Sequence, residues 1–426
     1  MKQNHYLQLT VLALATLIAV LMPTGTASAA EHGYRTIYRF KGGNDGRDPG
    51  GPPAIDKNGN LFGITLFGGT DNIGTLYELA APRTRLGSWK ETVLYEFPAG
   101  SWGAEFIAFG PDGNLYGFNG QTIFEFKRQN LRRDGWKYLP LYTLNGNTDG
   151  YNMAGLGFDP DGNLYGTAAD GGDLGCHNGW GCGTVFELRR PNTKSGKWHF
   201  TVLYTFTGQP DGDTPIAGVT FSRRGNMFGP TWYGGIYGYG TVYRLVRPAK
   251  KGAPWTEGVL YSFGANYHGI AVPLGPVTFD EKRRQNVYGT AAIGGGNDCG
   301  GVFELSPPAK KGGDWPYAPL YTFTGEKDGC YGGGFGDGNM VIDRSGNLYG
   351  TTPGGGDAQG GTVFRLSPPA NGSWPWTETT LHSFTGKNGD GGVPYGVTWG
   401  KWGDLYGLTG EGGHCLGCGT VYEVRP

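Results

Sequence analysis

One phrase, Asn-Leu-Tyr-Gly, returns seven times along this chain with small changes. Its glycines are Gly63, Gly117, Gly166, Gly229, Gly289, Gly350 and Gly407. They stand roughly 49 to 63 residues apart. A second phrase follows each copy, of the type Gly-Thr-Val-Phe-Glu-Leu. It occupies Gly74–Leu79, Gln121–Phe126, Gly183–Leu188, Gly240–Leu245, Gly300–Leu305, Gly361–Leu366 and Gly419–Val424. A third, Leu-Tyr-x-Phe, ends at Phe97, Leu144, Phe206, Phe263, Phe323 and Phe384. A fourth, short and rich in Gly and β-branched residues, precedes each Asn-Leu-Tyr-Gly, as in Gly155–Asp159, Gly218–Phe221 and Gly396–Trp399. Each unit therefore offers four short strands, here called A to D in chain order. Nothing reads as a long amphipathic helix. Four strands in about 50–60 residues make one propeller blade, and seven units predict an all-β, seven-bladed β-propeller.

The two ends choose a ring over an open stack. A lone D strand, Arg35–Phe40, opens the repeat region, and a lone C strand, Gly419–Val424, closes it. The last blade lacks the strand that the first residues supply. Pairing the two closes the circle and hides a sheet edge that would otherwise invite aggregation. A β-solenoid is the alternative, and it would need capping units. In a ring of such blades the A–B and C–D turns share one face, and the B–C and D–A loops share the other. Strand A, nearest the axis, needs small residues, which Gly155, Gly218, Gly275 and Gly396 provide. The recurring Trp89, Trp136, Trp198, Trp255, Trp315 and Trp376 are expected to pack between blades.

Composition agrees with many short strands. Gly accounts for 83 of 426 residues and aromatics for 14%, a pairing foreign to disordered chains. Net charge is −1 with no basic stripe, which argues against a nucleic-acid partner. The first 30 residues carry Lys2, an apolar stretch from about Leu7 to Met22, and Ala27-Ser28-Ala29, the layout of a secretory signal peptide. An uncleaved anchor is the rival reading. The division expected is a signal over 1–30 and one propeller domain over 31–426, secreted or periplasmic, monomeric and free of the membrane once cleaved.

The best single copy of the repeat runs from Gly346 to Thr379. It reads Gly-Asn-Leu-Tyr-Gly-Thr-Thr, a Gly-rich loop, Gly-Thr-Val-Phe-Arg-Leu-Ser-Pro-Pro, and Trp-Thr-Glu-Thr. This resembles the bacterial tandem-repeat family called GloVer, and the resemblance covers nearly all of residues 34–426. It implies an exported repeat protein. The chain shows no sorting tail before Pro426, so a C-terminal anchor is not supported. The resemblance implies no particular activity.

Six cysteines in an exported chain read as disulfides. Cys176 and Cys182 share one B–C loop, and Cys415 and Cys418 share another. Cys299 and Cys330 lie in loops of neighbouring blades on one face, where a bridge is feasible. Zinc ligation by Cys415, Cys418 and His414, or by Cys176, His177 and Cys182, is the rival, but a second CxxC partner is missing. No metal and no cofactor is expected. Asp56-Lys-Asn58, Asp159-Pro-Asp161 and Asp343-Arg-Ser345, each followed by Gly-Asn, resemble the start of a calcium loop but lack its distant Glu. They read as hairpin turns.

The D–A loops repeat Thr-Gly-x-x-Asp-Gly, with Asp45, Asp149, Asp211, Asp328 and Asp390 ringing one face. Turn chemistry is the plain reading, and a polar rim holding a sugar or cation is the functional one. Irregular copies carry more information. Blade 4 has Trp232-Tyr233-Gly-Gly-Ile-Tyr237-Gly-Tyr239 in its B–C loop, faced by Tyr267-His268, with Tyr331 and Trp180 on the same face. Blade 2 instead has a tight B–C turn, Phe118-Asn119-Gly120-Gln121, which predicts a notch in the rim. No Gly-x-Ser-x-Gly, His-Glu-x-x-His or P-loop motif is present. The expected function is a binding module for a glycan or an extracellular protein, with Trp232, Tyr233, Tyr237, His268, Tyr331, Asp149, Asp211 and Asp328 as candidate ligand residues. The alternative is a polysaccharide lyase or glycoside hydrolase with its site in the funnel, drawing on Asp149, Asp211, His268 and Asp328.

Overall fold

The computed structural model describes residues 33–426 apart from 102, 131–132, 194–195, 251, 265–268, 281–284, 311, 332–338, 371–374 and 388. The expected signal peptide and His268 lie outside the described residues. Within them the chain forms seven four-stranded antiparallel sheets. Six are built from consecutive strands. Blade 4, for example, runs through Thr220–Phe221, Met227–Thr231, Thr241–Val246 and Thr256–Ser262. In the seventh, Gly392–Trp399, Leu405–Glu411 and Thr420–Val424 are completed by Tyr34–Arg39. Tyr34 pairs with Val424, Thr36 with Tyr422 and Arg39 with Thr420, and the Phe40 N–H continues the ladder to the Gly419 carbonyl. The ring closes as the two ends of the sequence predict. No helix among the described residues is long and apolar enough to cross a membrane.

The recurring phrases have a common physical cause. In every blade the glycine of strand B lies directly opposite the aromatic residue of strand C: Gly63 faces Tyr77, Gly166 faces Phe186, and Gly289 faces Phe303. The ring folds back over the glycine, covering backbone that a bare strand glycine leaves exposed. A Cβ on Gly63 would sit 2.1 Å from the Tyr77 hydroxyl, and one on Gly289 would sit 2.3 Å from the Phe303 ring. The phrase is glycine because its partner phrase is aromatic.

Aromatic contacts also join the blades. Each outer Trp meets, edge to face, an aromatic residue of strand B in the preceding blade. Trp89 meets Tyr406 at 5.5 Å, Trp136 meets Phe62 at 5.8 Å, and Trp198 meets Tyr116 at 6.0 Å between ring centroids. Trp255, Trp315 and Trp376 repeat the contact on Tyr165, Phe228 and Tyr288. Where the D phrase ends in Phe, in every blade but the second, that ring reaches the other way. Phe206 packs on Tyr243, Phe263 on Phe303 and Phe323 on Phe364, each of these phenylalanines buried. Such pairs add about 0.5–1.5 kcal/mol each beyond area burial. Near the axis the A strands of blades 3 and 4 approach so closely that a Cβ on Gly155 would lie 2.6 Å from the Gly218 nitrogen.

Candidate functional site

The six cysteines form the bridges Cys176–Cys182, Cys299–Cys330 and Cys415–Cys418. The middle one ties the B–C loop of blade 5 to the D–A loop entering blade 6, so these loops do share a face. A second pairing joins the D–A and B–C loops of a single blade: in blade 4 Asp213 and Tyr233 exchange backbone hydrogen bonds of 2.9 Å, and Cys330 and Gly354 pair likewise in blade 6.

The repeated acids of this face are held by their own loops. The Tyr142 hydroxyl donates to Asp149 at 2.8 Å, Tyr204 to Asp211 at 2.6 Å, and Tyr321 to Asp328 at 2.9 Å. Tyr38 does the same to Asp45, and His382 stands 3.1 Å from Asp390. Each acid also accepts the backbone N–H at the start of its loop, from Asn145, Thr207, Thr324, Lys41 and Thr385 respectively. The Leu-Tyr-x-Phe strand and the Asp-Gly loop are therefore two halves of one corner: the strand tyrosine pins the acid that folds the loop back. Asp56, Asp159 and Asp343 likewise accept amides of their A–B turns. These carboxylates spend their lone pairs on the fold, and buried Asp211 and Asp328 present little of themselves to solvent.

Three outer-strand glutamates sit beside these corners and are left badly solvated. Burial, with Asp45 nearby, pushes the Glu91 carboxyl up to about 7. Burial with Asp211 does the same to Glu257, and burial, assisted by Asp328, to Glu378. The folded state thus prefers all three protonated. Their contribution to stability is complete below the unfolded value near 4.5 and is lost as pH rises through about 7. The midpoint of thermal unfolding is expected to be higher at pH 5 than at pH 8. Glu91→Gln, Glu257→Gln and Glu378→Gln should each stabilise the fold at pH 8, by ~1 kcal/mol apiece after allowance for solvent screening, and so raise the midpoint. Calorimetry across this range checks both, and a flat profile refutes the assignment.

The aromatic candidates separate by exposure. Trp232 and Tyr233 stack, with centroids 5.8 Å apart and planes 16° from parallel. Tyr233 is 45% exposed, Tyr237 63% and Ile236 67%, and Tyr239 and Trp180 also face solvent. Tyr331, expected on the rim, is instead 1% exposed and packs edge-on against Phe323. It belongs to the core, beside the Cys299–Cys330 bridge, with its N–H bonded to the Cys299 carbonyl at 3.0 Å. The blade 4 loop thus carries an aromatic ledge.

The ledge borders a cavity at the axis. Residues in or just before strand A of six blades line it, among them Pro52, Phe106, Met153, Leu156, Ile216, Val219, Leu274 and Asn339, with Trp232 and Phe118 at the B–C side. Its volume is about 440 Å³. Among the described residues, Glu105 is the one ionisable residue lining it. The short B–C turn of blade 2 is present as expected: Asn119 pairs with Thr122, and the Gly120 N–H donates to a Glu105 carboxylate oxygen at 2.9 Å. Sequence reading passed over Glu105 because it belongs to no repeated phrase. The usable signal was the D–A loop entering blade 2, where Gly103-Ala104-Glu105 stands in place of the Asp-Gly phrase.

These features define a seven-bladed β-propeller closed by its first strand, with an aromatic ledge beside an axial cavity. The family model described as the Gloeobacter/Verrucomicrobia repeat matches residues 178–373, and that stretch carries the repeat to which the sequence bears resemblance. Solved structures share the fold at low identity. Virginiamycin B lyase from Staphylococcus aureus is 10% identical with a TM-score of 0.52, covering 92% of this chain and 99% of that one. The extracellular domain of a putative one-component system from B. thetaiotaomicron is 9% identical with a TM-score of 0.54, covering 92% of this chain and 40% of that one. PorZ, a surface component of the type-IX secretion system of Porphyromonas gingivalis, is 15% identical with a TM-score of 0.50, covering 89% and 46%. No curated protein matches the sequence.

Proposed function

We propose that this is an exported binding module that takes a glycan on the B–C/D–A face, across the aromatic ledge of blade 4. The observation that carries it is the exposure of Tyr233, Ile236 and Tyr237 together, next to a half-buried Trp232. A soluble monomer has little reason to leave large apolar side chains grouped in solvent unless they meet a partner. Flat rings beside amides and hydroxyls suit pyranose rings, which offer C–H patches on their faces and hydroxyls at their edges. Export fits the three disulfides, which persist in oxidising compartments, and the signal-like first 30 residues. Against the lyase or hydrolase reading stands the engagement of Asp149, Asp211 and Asp328 in loop corners.

The test is a glycan array with the mature chain, followed by calorimetric titration of any hit. Tyr233→Ala and Tyr237→Ala are each expected to weaken binding about tenfold, with the thermal midpoint of the protein kept. An array without hits, or hits that both variants bind as the parent does, overturns the reading.

A further inference from the structure

The axial cavity has a chemistry distinct from that of the ledge. Its wall is more apolar than polar, with Phe106, Met153, Leu156, Val219 and Leu274 supplying apolar side chains. Two aromatic elements face into it: Trp232, and the stacked pair Phe106–Phe118, whose planes lie 10° apart. Among the described residues of this lining, Glu105 is the single carboxylate. One of its oxygens accepts the Gly120 N–H. The other has no hydrogen bond, and no Lys, Arg or His pairs with it, among the described residues. Glu105 is itself exposed at the edge of this lumen, so its second oxygen is open to a cation that a ligand carries in.

We propose that the axial cavity is a binding site for a primary amine with an apolar body, an arylalkylamine or alkylamine whose ammonium group pairs with Glu105. The apolar part fills the lumen against Met153, Leu156 and Leu274. The aromatic faces of Trp232 and Phe106 add cation–π attraction for a charge held at the mouth. Size agrees, since small-molecule sites are apolar concavities of about 300–1,000 Å³ with few, convergent polar groups. Desolvation raises the pKa of Glu105, partly offset by the Gly120 N–H, the behaviour of a carboxylate short of positive partners. The notch of blade 2 belongs to the same design. A long B–C loop there would cover Glu105, whereas the two-residue turn leaves it open and supplies the amide that orients it.

This inference goes beyond the glycan reading and stands apart from it, because it uses the lumen and Glu105 rather than Tyr233 and Tyr237. The experiment is calorimetric titration of the mature protein with tryptamine and with tryptophol, its neutral alcohol counterpart of nearly equal shape. Tryptamine is expected to bind saturably, about tenfold or more tighter than tryptophol, because a charged hydrogen bond replaces a neutral one. Glu105→Gln should abolish the preference, bringing tryptamine to the level of tryptophol while leaving tryptophol binding unchanged. Ala154→Phe, which fills the lumen without touching the carboxylate, should remove binding of both. Tyr233→Ala should alter neither, so failure of the glycan reading and failure of this one are told apart. Equal affinity of the two ligands, a preference retained in a folded Glu105→Gln protein, or no saturable binding of tryptamine overturns the proposal.

Discussion

A chain shortened to begin at Lys41 is expected to lose its cooperative thermal transition, or to melt at least about 10 °C below a chain beginning at Gly33. Eight residues of nearly four hundred are removed, yet they hold three seams at once. Tyr34–Arg39 supplies the fourth strand of blade 7, and without it Thr420–Val424 becomes an open edge. Phe40 is fully buried and packs edge-on against Tyr77 of blade 1, 5.0 Å away. Losing a buried Phe side chain costs about 3–5 kcal/mol on its own. Tyr34 stacks on His382 of blade 6 with centroids 3.5 Å apart. Arg35 pairs at 2.6 Å with Glu423, which is almost wholly buried, so deletion removes the nearer of that carboxylate's two arginine partners and leaves Arg425 at 3.8 Å. A net stability of about 5–15 kcal/mol cannot absorb these losses together. Circular dichroism melts of the two chains decide the matter. Phe40→Ala, expected to cost about 3–5 kcal/mol in the full-length ring, separates the packing loss from the open edge. A shortened chain that melts within a few degrees of the parent would show that closure carries little of the stability.

That closure was legible because it is a property of order along the chain. Complementary fragments at Arg35–Phe40 and Gly419–Val424 can be seen without knowing where any atom lies. The inter-blade role of Trp89 to Trp376 was legible for a similar reason, since a large residue recurring once per unit must repeat one contact. The cysteine pairs followed from loop membership. What escaped was whatever depends on a side chain turning back on its own loop. Asp149 and Tyr142 stand seven residues apart in two different phrases, and nothing in their spacing tells that the hydroxyl reaches the carboxylate. The same acid reads equally well as a ligand group on a rim. Tyr331 reads as a rim residue, yet its ring packs on Phe323 in the core, a contact between two different phrases. Glu105 and the cavity wall were hidden differently. Their neighbours come from six blades, and convergence at an axis leaves no trace in local sequence. The repeat shows that an axis exists, and only the irregular copies say what faces it.

Gly289→Ala tests the deepest rule of the repeat and is expected to destabilise the protein by about 2–3 kcal/mol, with Gly289→Val worse. Elsewhere in proteins, glycine inside a strand is replaced by alanine at a gain, because the unfolded chain loses freedom and the strand gains a side chain. Here the sign reverses. Gly289 does not adopt the left-handed backbone that only glycine tolerates, so conformation is no obstacle. The obstacle is the Phe303 ring, whose tip would lie 2.3 Å from the new methyl group. That ring is fully buried and also wedged against Phe263 of the preceding blade, at 5.1 Å between centroids, so it cannot swing aside cheaply. Forcing atoms into a filled site costs about 1–3 kcal/mol. A double-mutant cycle separates this clash from a general intolerance of the strand. Phe303→Ala alone should cost about 3–5 kcal/mol through the cavity it leaves. Adding Gly289→Ala to it should then cost nothing further or restore stability, because the methyl group enters space the ring vacated. Denaturant melts of the four proteins give the coupling directly. Additive losses would break the claim that glycine and ring are one unit. Strong coupling would extend it to the other six pairs, from Gly63–Tyr77 to Gly407–Tyr422, where the same ring lies over the same bare backbone.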